Sequence, residues 1–228
     1  LGVELKMNTP IGRDGGPSLE DLQKEYQAVF MAIGAHGSSR LGVPNEEIEG
    51  GFQAVPFLRH LHMGHDANIG KHVAVIGGGN SAIDAARCAV RLGAEVQLVY
   101  RRSRTEMPAA AWEVASAEEE GVKLTFLSAP MRVIEKEGHV AGIECIRMKL
   151  GEPDASGRRS PSPKAGSDFG IPIDTVIVAL GNSPNPLLAQ TTKGLDTGRG
   201  GVVVADPHTG KTNKDKVWAG GDIVTGAA

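Results

Sequence analysis

The sequence is poor in cysteine and in aromatic residues, and it has no long hydrophobic segment. Its 228 residues include two cysteines, two tryptophans, two tyrosines and five phenylalanines. Cys88 and Cys145 are too far apart for a Cys-x-x-Cys redox pair, and two cysteines cannot hold an iron–sulfur cluster. We therefore expect both to be small core residues. No apolar run approaches the roughly 20 residues that a transmembrane helix requires, so we expect no membrane partner.

The chain also lacks an excess of charge of either sign. With 24 Lys and Arg against 27 Asp and Glu, its net charge is −3 at pH 7, which excludes a general attraction to nucleic acid. A hydrophobic share of 40% and a charged share of 22% are typical of a globular protein. The segment that begins at Leu1 has neither the basic start nor the apolar run of a signal peptide, so we expect a cytoplasmic protein.

Three histidines, His60, His62 and His65, are close together in the sequence. Their spacing does not place all three on one face of a helix. The sequence therefore predicts solvated histidines and no metal site.

A glycine-rich segment follows an apolar one. Residues 73–76 predict a buried parallel strand because they are apolar and mostly β-branched, and a helix is predicted from about residue 81 to 92. Between them, glycines permit a tight turn and let a pyrophosphate approach the backbone at the positive end of the helix dipole. A simple strand-to-helix turn is the alternative. The expected cofactor-binding residues are Gly77, Gly78, Gly79, Asn80, Ser81 and Ala82.

A second predicted strand, residues 95–100, completes a β-α-β unit. An acidic residue at its end would accept hydrogen bonds from the ribose of NAD, but this chain has Arg101, Arg102 and Arg104 there. Guanidinium groups bind a 2′-phosphate through parallel hydrogen bonds. The sequence therefore predicts NADP(H) rather than NAD(H), with a solvated basic turn as the alternative.

Two segments resemble a known family. They are Gly-Gly-Gly-Asn-Ser-Ala-Ile-Asp-Ala-Ala-Arg at 77–87 and Val-Tyr-Arg-Arg-Ser-Arg-Thr-Glu-Met-Pro-Ala at 99–109. Both look like the NADPH domain of the glutamate synthase small (β) subunit group, flavoproteins with two dinucleotide-binding domains. Residues 143–158 are similar to a β-hairpin extension of that domain, and 179–185 to its strand-end glycine motif. The resemblance covers most of the chain.

The resemblance implies an α/β fold, in which a Rossmann-like NADP-binding domain with a β-hairpin extension is inserted in a partial FAD-binding domain. Residues 1–67 would be an FAD-domain segment and crossover, 68–182 the NADP(H)-binding domain, and 183–228 the returning FAD-domain segment. We expect residues 1–8 to form a strand. Residues 152–167 are polar and rich in Gly, Pro and Ser, and predict a mobile hairpin tip.

Further glycines resemble motifs that lie near the cofactors in this family. Gly34 ends an apolar segment where the chain would cross toward the NADPH domain. Gly221 and Asp222 resemble the late FAD motif, in which the aspartate receives a hydrogen bond from a ribityl hydroxyl. Gly181 and Asn182 would lie beside the nicotinamide half of NADP(H). Each position also suits an ordinary turn.

The resemblance implies an NADPH-dependent flavoprotein oxidoreductase, an electron-input module in which a hydride passes between NADP(H) and FAD. The cofactors would carry this chemistry, so we nominate no catalytic residue. Glu106 either has an unassigned role near NADPH or is an ordinary acid at a helix start. One alternative is a nucleotide-binding module without activity in isolation. Another is the input module of a ferredoxin–NADP transhydrogenase-type or pyrimidine-reducing flavoprotein.

The glycine motif expected of an FAD pyrophosphate site does not occur before residue 70. Because the sequence also starts without Met and ends inside an FAD-type motif, it indicates a truncated part of a larger parent. The parent would bind FAD, hold iron–sulfur clusters in an N-terminal domain, and join a large glutamate synthase-type subunit. The missing flanks would be the fragment's other partners. We expect the 228 residues to bind NADPH, to hold little flavin and to be inactive alone.

Overall fold

A computed structural model describes residues 2–13, 15–155 and 157–226 of the chain. Leu1, Asp14, Ser156, Ala227 and Ala228 lie outside the described residues. The chain divides into two compact units. The first unit combines the segment up to Gly37 with the segment from Asn182 onward, and the second unit is Ser38–Gly181. The second unit thus contains residues 38–67, part of the segment that the sequence assigned to the FAD-domain segment and crossover.

The elements are numbered in chain order. The strands are β1 (Val29–Met31), β2 (Gly37–Ser38), β3 (Gly51–Gln53), β4 (His72–Ile76), β5 (Glu95–Val99), β6 (Lys123–Thr125), β7 (Ser128–Lys136), β8 (His139–Pro153), β9 (Arg159–Ile171), β10 (Thr175–Val178), β11 (Asn182–Ser183) and β12 (Val217–Ala219). The helices are α1 (Leu19–Glu25), α2 (Ala54–His62), α3 (Asn80–Arg91), α4 (Ala111–Glu119), α5 (Leu187–Thr191) and α6 (Asp222–Thr225), and 3-10 turns cover Arg104–Glu106 and Arg199–Gly201.

A five-stranded parallel sheet with the order β3-β10-β4-β5-β6 forms the centre of the second unit. Successive residues of β4 point to opposite faces, so Val73 and Val75 pack against the helices while Ala74 and Ile76 join the other core. The β4–α3–β5 unit lies where the sequence predicts it. The expected α/β, Rossmann-like fold is confirmed.

A three-stranded antiparallel sheet, β7-β8-β9, covers the other face of the parallel sheet. Its Val133, Ile143 and Ile171 pack with the side chains that β4 presents on that face. The predicted hairpin tip over residues 152–167 is too long, because β9 is already paired with β8 from Arg159 onward. The mobility of the tip stays a prediction. Polar composition indicated a loop, but backbone pairing with β8 and side-chain contacts of Arg159 with the loop after β5 fix the residues from Arg159 onward.

The first unit is built around the parallel pair of β1 and β12. Leu19, Met31, Val217 and Ile223 are buried in its core. Helix α1 begins at a capping box between Ser18 and Asp21, as Ser and an acidic first turn predict. The strand expected over residues 1–8 is absent from the described residues 2–8, which pair with no neighbouring strand in the described structure and remain exposed.

Both cysteines are free and lie on different elements. Cys145 is buried in β8, where burial raises the pKa of its thiol to about 12. Burial also raises the pKa of Cys88 on α3. At neutral pH neither thiol is a reactive thiolate, in keeping with the expected packing roles.

An ion-pair cluster joins the C-terminal half of α3 to Glu120, the C-cap of α4. Arg87 donates to Glu120 Oε1 through Nε at 2.9 Å and Nη2 at 2.6 Å, and Arg91 donates to both carboxylate oxygens at 3.1 and 2.8 Å. The hydrogen bonds from Arg87, followed by those from Arg91, lower the pKa of Glu120 to about 2. The cluster ties together two helices that pack on the same core.

Replacing Glu120 with Gln should lower the thermal midpoint at pH 7 by a few degrees, because both guanidinium groups lose their counter-charge. The carboxylate contributes its stability above its unfolded pKa of 4.5, and this contribution is lost as the pH falls toward about 2. Melting curves of both proteins should therefore converge as the pH is lowered through this range. Glu119→Gln, at the exposed neighbouring position, is the control and should change little. A Glu120→Gln difference that persists undiminished in acid would contradict this account.

Candidate dinucleotide site

The turn between β4 and α3 begins at Gly77, which has a φ of +150°. A Cβ at this position would lie 2.2 Å from the carbonyl oxygen of Ala179, just after β10. The backbone there is fixed by two hydrogen bonds, from Gly77 N–H to the Val99 carbonyl at 3.1 Å and from Ala179 N–H to the Ile76 carbonyl at 2.8 Å. Gly77 is therefore required by the close approach of a neighbouring strand.

An aromatic ring packs so closely against residue 78 that only glycine fits there. A Cβ there would lie 2.5 Å from Cε2 of Tyr100, whose buried ring follows β5. The Tyr100 hydroxyl donates to the Glu106 carbonyl at 2.7 Å. Gly78 also accepts a hydrogen bond from Ala109 N–H at 3.1 Å. The segment after β5 is thus fastened onto the glycine turn.

Gly79 has no comparable packing role. Its φ is −92°, and the nearest atom to an added Cβ would be Cγ of Pro108 at 3.9 Å. It is the N-cap of α3, and no side chain caps the helix. Open space therefore lies directly at the positive end of a twelve-residue helix.

The amide groups at this helix end are available to a ligand. Ala82 and Ile83 donate to the Gly79 carbonyl at 2.9 and 3.2 Å. Within the described residues, no acceptor takes the N–H groups of Gly79, Asn80 or Ser81. Unpaired donors beside open space are what an anion such as a pyrophosphate requires. The side chain of Asn80 instead accepts from Ala110 N–H at 3.2 Å and helps to fix the neighbouring loop.

The three predicted 2′-phosphate ligands differ in exposure. Arg101 is exposed and has no hydrogen-bond or ionic partner among the described residues. Arg104 is also exposed, pairs with Glu118 and lies 5.7 Å from the ring centroid of Phe126.

Arg102 is only 5% exposed. Its Nη2 donates to Asp154 at 2.5 Å and its Nε to the carbonyl of Arg159 at 2.8 Å. The structure therefore does not bring Arg102 to the surface beside Arg101 and Arg104. A contact of Arg102 with a 2′-phosphate would require these bonds to open.

Glu106 is a buried carboxylate with strong partners. It accepts from Ser103 N–H at 3.1 Å and Ser103 Oγ at 2.5 Å, which forms a capping box for the 3-10 turn. Arg159 Nε donates to its other oxygen at 2.5 Å. The hydrogen bonds from Arg159 and then Ser103 lower the pKa of Glu106 to about 2. The sequence did not predict the contact of Arg159 with Glu106. The only sign of it was an arginine within the polar segment that was expected to be a hairpin tip.

The expected flavin residues lie in the first unit. Gly34 and Gly221 have φ values of +65° and +75° and follow β1 and β12 respectively. These strands run in parallel, so both glycines follow their carboxyl ends, and Gly220 N–H donates to the Met31 carbonyl at 3.1 Å. Asp222 is exposed at the start of the short helix α6. The flavin contacts of these residues remain predictions.

The two remaining predicted residues lie at the end of the second unit and the start of the returning segment. Gly181 has a φ of +96° and no atom within 4 Å of an added Cβ. Asn182 begins β11 in the first unit. Their position beside a nicotinamide remains a prediction.

The histidines form no recognisable metal site. The rings of His60 and His65 have centroids 4.8 Å apart, and His60 Nε2 is 3.1 Å from the carbonyl of Asp66. Across the described residues, no three His, Cys, Asp or Glu side chains form a group suited to a metal ion. In the same part of the chain, no helix has the length and apolar character needed to cross a membrane.

The glycine turn and its parallel sheet are those of a dinucleotide-binding α/β protein. Residues 15–228 match the family model described as "Pyridine nucleotide-disulphide oxidoreductase". The chain belongs to this family of enzymes.

Curated relatives agree with the resemblance noted in the sequence. The "NADP(+)-dependent formate dehydrogenase subunit beta" of Moorella thermoacetica is 48% identical over 231 residues, covering all of this chain and 32% of the relative. The "Glutamate synthase [NADPH] small chain" of Escherichia coli is 38% identical over 244 residues, covering all of this chain and 51% of the relative. The chain thus spans about a third to a half of their length, and its predicted likeness to the glutamate synthase small-chain group is confirmed.

A solved structure supports the fold. "Mycobacterium tuberculosis FprA in complex with NADPH" superimposes with a TM-score of 0.73 at 20% identity, covering 93% of this chain and 61% of that one. At this identity the likeness concerns the architecture alone. It agrees with the expected oxidoreductase fold.

Alanine substitutions at Gly78 and Gly79 should affect different properties. The first should mainly lower thermal stability, and the second should mainly weaken NADPH binding. Gly78→Ala should lower the thermal midpoint by several degrees, because its Cβ would meet the Tyr100 ring. Gly79→Ala should lower the midpoint by only about 2–4 °C, less than Gly78→Ala, since its Cβ meets open space and the remaining cost is that Ala is a poorer N-cap residue than Gly. It should nevertheless weaken NADPH binding about tenfold by narrowing the approach to the helix end. Thermal melts and calorimetric titrations test both effects, and unchanged NADPH affinity in Gly79→Ala would contradict the assignment.

Proposed function

We propose that this chain is the NADP(H)-binding module of an NADPH-dependent flavoprotein oxidoreductase. The observation that carries the proposal is the uncapped start of α3 at Gly79, where unpaired amide groups face open space. Gly77 and Gly78 serve internal packing, whereas no protein atom accounts for glycine at position 79. A bound pyrophosphate accounts for it and satisfies the amide donors.

The residues of the chain would bind and orient the nucleotide. The amide groups of Gly79, Asn80 and Ser81 hold the pyrophosphate, and Arg101 and Arg104 face the 2′-phosphate. Gly181 and Asn182 lie beside the nicotinamide. When bound, the reduced nicotinamide supplies a hydride and FAD accepts it, so the protein supplies binding and orientation rather than an acid or base.

The flavin part of the proposal rests on the first unit. Gly34, Gly221 and Asp222 resemble FAD-domain motifs and follow the ends of two adjacent parallel strands. We propose that FAD is held jointly with segments of the parent protein outside these residues. Iron–sulfur clusters would belong to an N-terminal domain of that parent.

The final electron acceptor is proposed to lie outside the shared region. The two relatives described above are named for formate dehydrogenase and for glutamate synthase, yet both names include NADP(H). This pattern supports an electron-input module that serves different partners. A large glutamate synthase-type subunit is one proposed partner, and the cytoplasm is the proposed location.

Nucleotide preference gives a direct test of this function. The chain should bind NADPH more tightly than NADH, because NADH lacks the phosphate that the arginines would hold. Arg101→Gln should weaken NADPH binding about tenfold and change NADH binding less than about twofold, since a charge-assisted contact contributes roughly 1.5 kcal/mol or more. Isothermal titration with both nucleotides measures this. Equal affinity of the unsubstituted chain for NADH and NADPH would contradict the assignment.

Arg102→Gln is the informative comparison for Arg101→Gln. Because Arg102 is buried and bonded to Asp154 and the Arg159 carbonyl, its replacement should lower the thermal midpoint by several degrees. Arg101→Gln should leave the midpoint unchanged. Equal thermal effects of the two substitutions would contradict the difference in their environments.

The flavin content of the 228-residue chain tests the second cofactor. Purified protein should be colourless or weakly flavinated while it still binds NADPH, because an FAD pyrophosphate motif is absent before residue 70. Absorbance of the released chromophore after denaturation measures the bound flavin. Stoichiometric FAD would show that the described residues suffice to hold it and would contradict this expectation.

A further inference from the structure

The tip of the β8–β9 hairpin is fastened to the loop that follows β5. Arg102 in this loop bonds to Asp154 and to the carbonyl of Arg159. In return, the Arg159 side chain reaches Glu106 at 2.5 Å and Ser103 Oγ at 3.5 Å. These contacts run in both directions between segments more than fifty residues apart. They bring a hairpin arginine to the loop that begins at Arg101.

The Arg159 guanidinium is both fixed and accessible. Its side chain is 48% exposed, whereas its partner Glu106 is 6% exposed. Arginine has five N–H donors, and the described contacts use Nε and one donor of Nη2. The remaining three donors have no partner among the described residues, and about half of the side chain is open to solvent. Such a group can take part in bidentate recognition of a phosphate at little further cost in side-chain entropy.

We propose that Arg159 of the hairpin is a binding residue for the 2′-phosphate of NADP(H), acting together with Arg101. Arg102, to which the sequence assigned this role, is a positioning residue that holds the backbone of Arg159. Glu106 and Ser103 orient the Arg159 side chain from the other side. The hairpin thereby contributes to nucleotide preference. This inference rests on the proposed NADP(H) function.

A purely structural ion pair between Arg159 and Glu106 makes a different prediction. Loss of a structural pair would disturb the loop and weaken every nucleotide that uses the site. Loss of a 2′-phosphate ligand should weaken only nucleotides that carry this phosphate. NADP+ and NAD+ differ in this group alone, so the pair separates the two roles.

Calorimetric titration of the full chain with NADP+ and NAD+ tests the proposal. Arg159→Gln should weaken NADP+ binding about tenfold and leave NAD+ binding within about twofold. Lys164→Gln removes a positive charge from an exposed site on the same strand and is the matched control, with both affinities expected within about twofold. Equal weakening of both nucleotides by Arg159→Gln, or no weakening of NADP+, would overturn the proposal.

A second variant covers the case in which Arg159→Gln does not fold. Arg159→Lys keeps a positive charge for Glu106 but lacks the planar fork, so it should fold and bind NADP+ about threefold more weakly, with NAD+ unchanged. If Arg159→Lys binds NADP+ as tightly as the unsubstituted chain does, the bidentate contact is ruled out. If the unsubstituted chain itself does not prefer NADP+ to NAD+, the proposed function fails. If it does and the Arg159 variants retain the preference, only this inference fails.

Discussion

The glycine turn after β4 has no room for side chains at its first two positions. Gly77 meets the backbone of Ala179, and Gly78 meets the ring of Tyr100. Because these contacts come from opposite neighbours of β4, the turn fixes the end of β10 on one side and the segment after β5 on the other. The start of α3, the loop at 101–110 and the proposed binding site all depend on this close packing.

The same turn separates a packing task from a binding task. Its first two glycines satisfy the protein itself, while Gly79 leaves space and unpaired amides at the start of α3. The charged side chains around the loop at 101–110 fall into the same two groups, those that serve packing and those open to a ligand. Buried Arg102 and Glu106 hold segments together, whereas exposed Arg101 and half-exposed Arg159 leave donors at the surface. The buried charged residues therefore position the exposed ones for contact with a ligand.

The sequence predicted the parts of the fold whose signals are local. The β4–α3–β5 unit follows from adjacent apolar, glycine and helix-forming segments, and the Ser18 cap is similarly local. The roles of Arg102 and Arg159 were not predictable in this way, because they depend on pairing between distant segments. The hairpin tip was expected to be mobile on composition alone. Residues 2–8 have alternating apolar side chains typical of a strand but no strand partner in the described structure.

A crystal structure of the chain with NADP+ tests the central claim most directly. The account predicts pyrophosphate oxygens within hydrogen-bond distance of the amide groups of Gly79, Asn80 or Ser81. It also predicts the 2′-phosphate beside the guanidinium groups of Arg101, Arg104 and Arg159. A nucleotide bound elsewhere, with the amides at the start of α3 unpaired, would contradict the account.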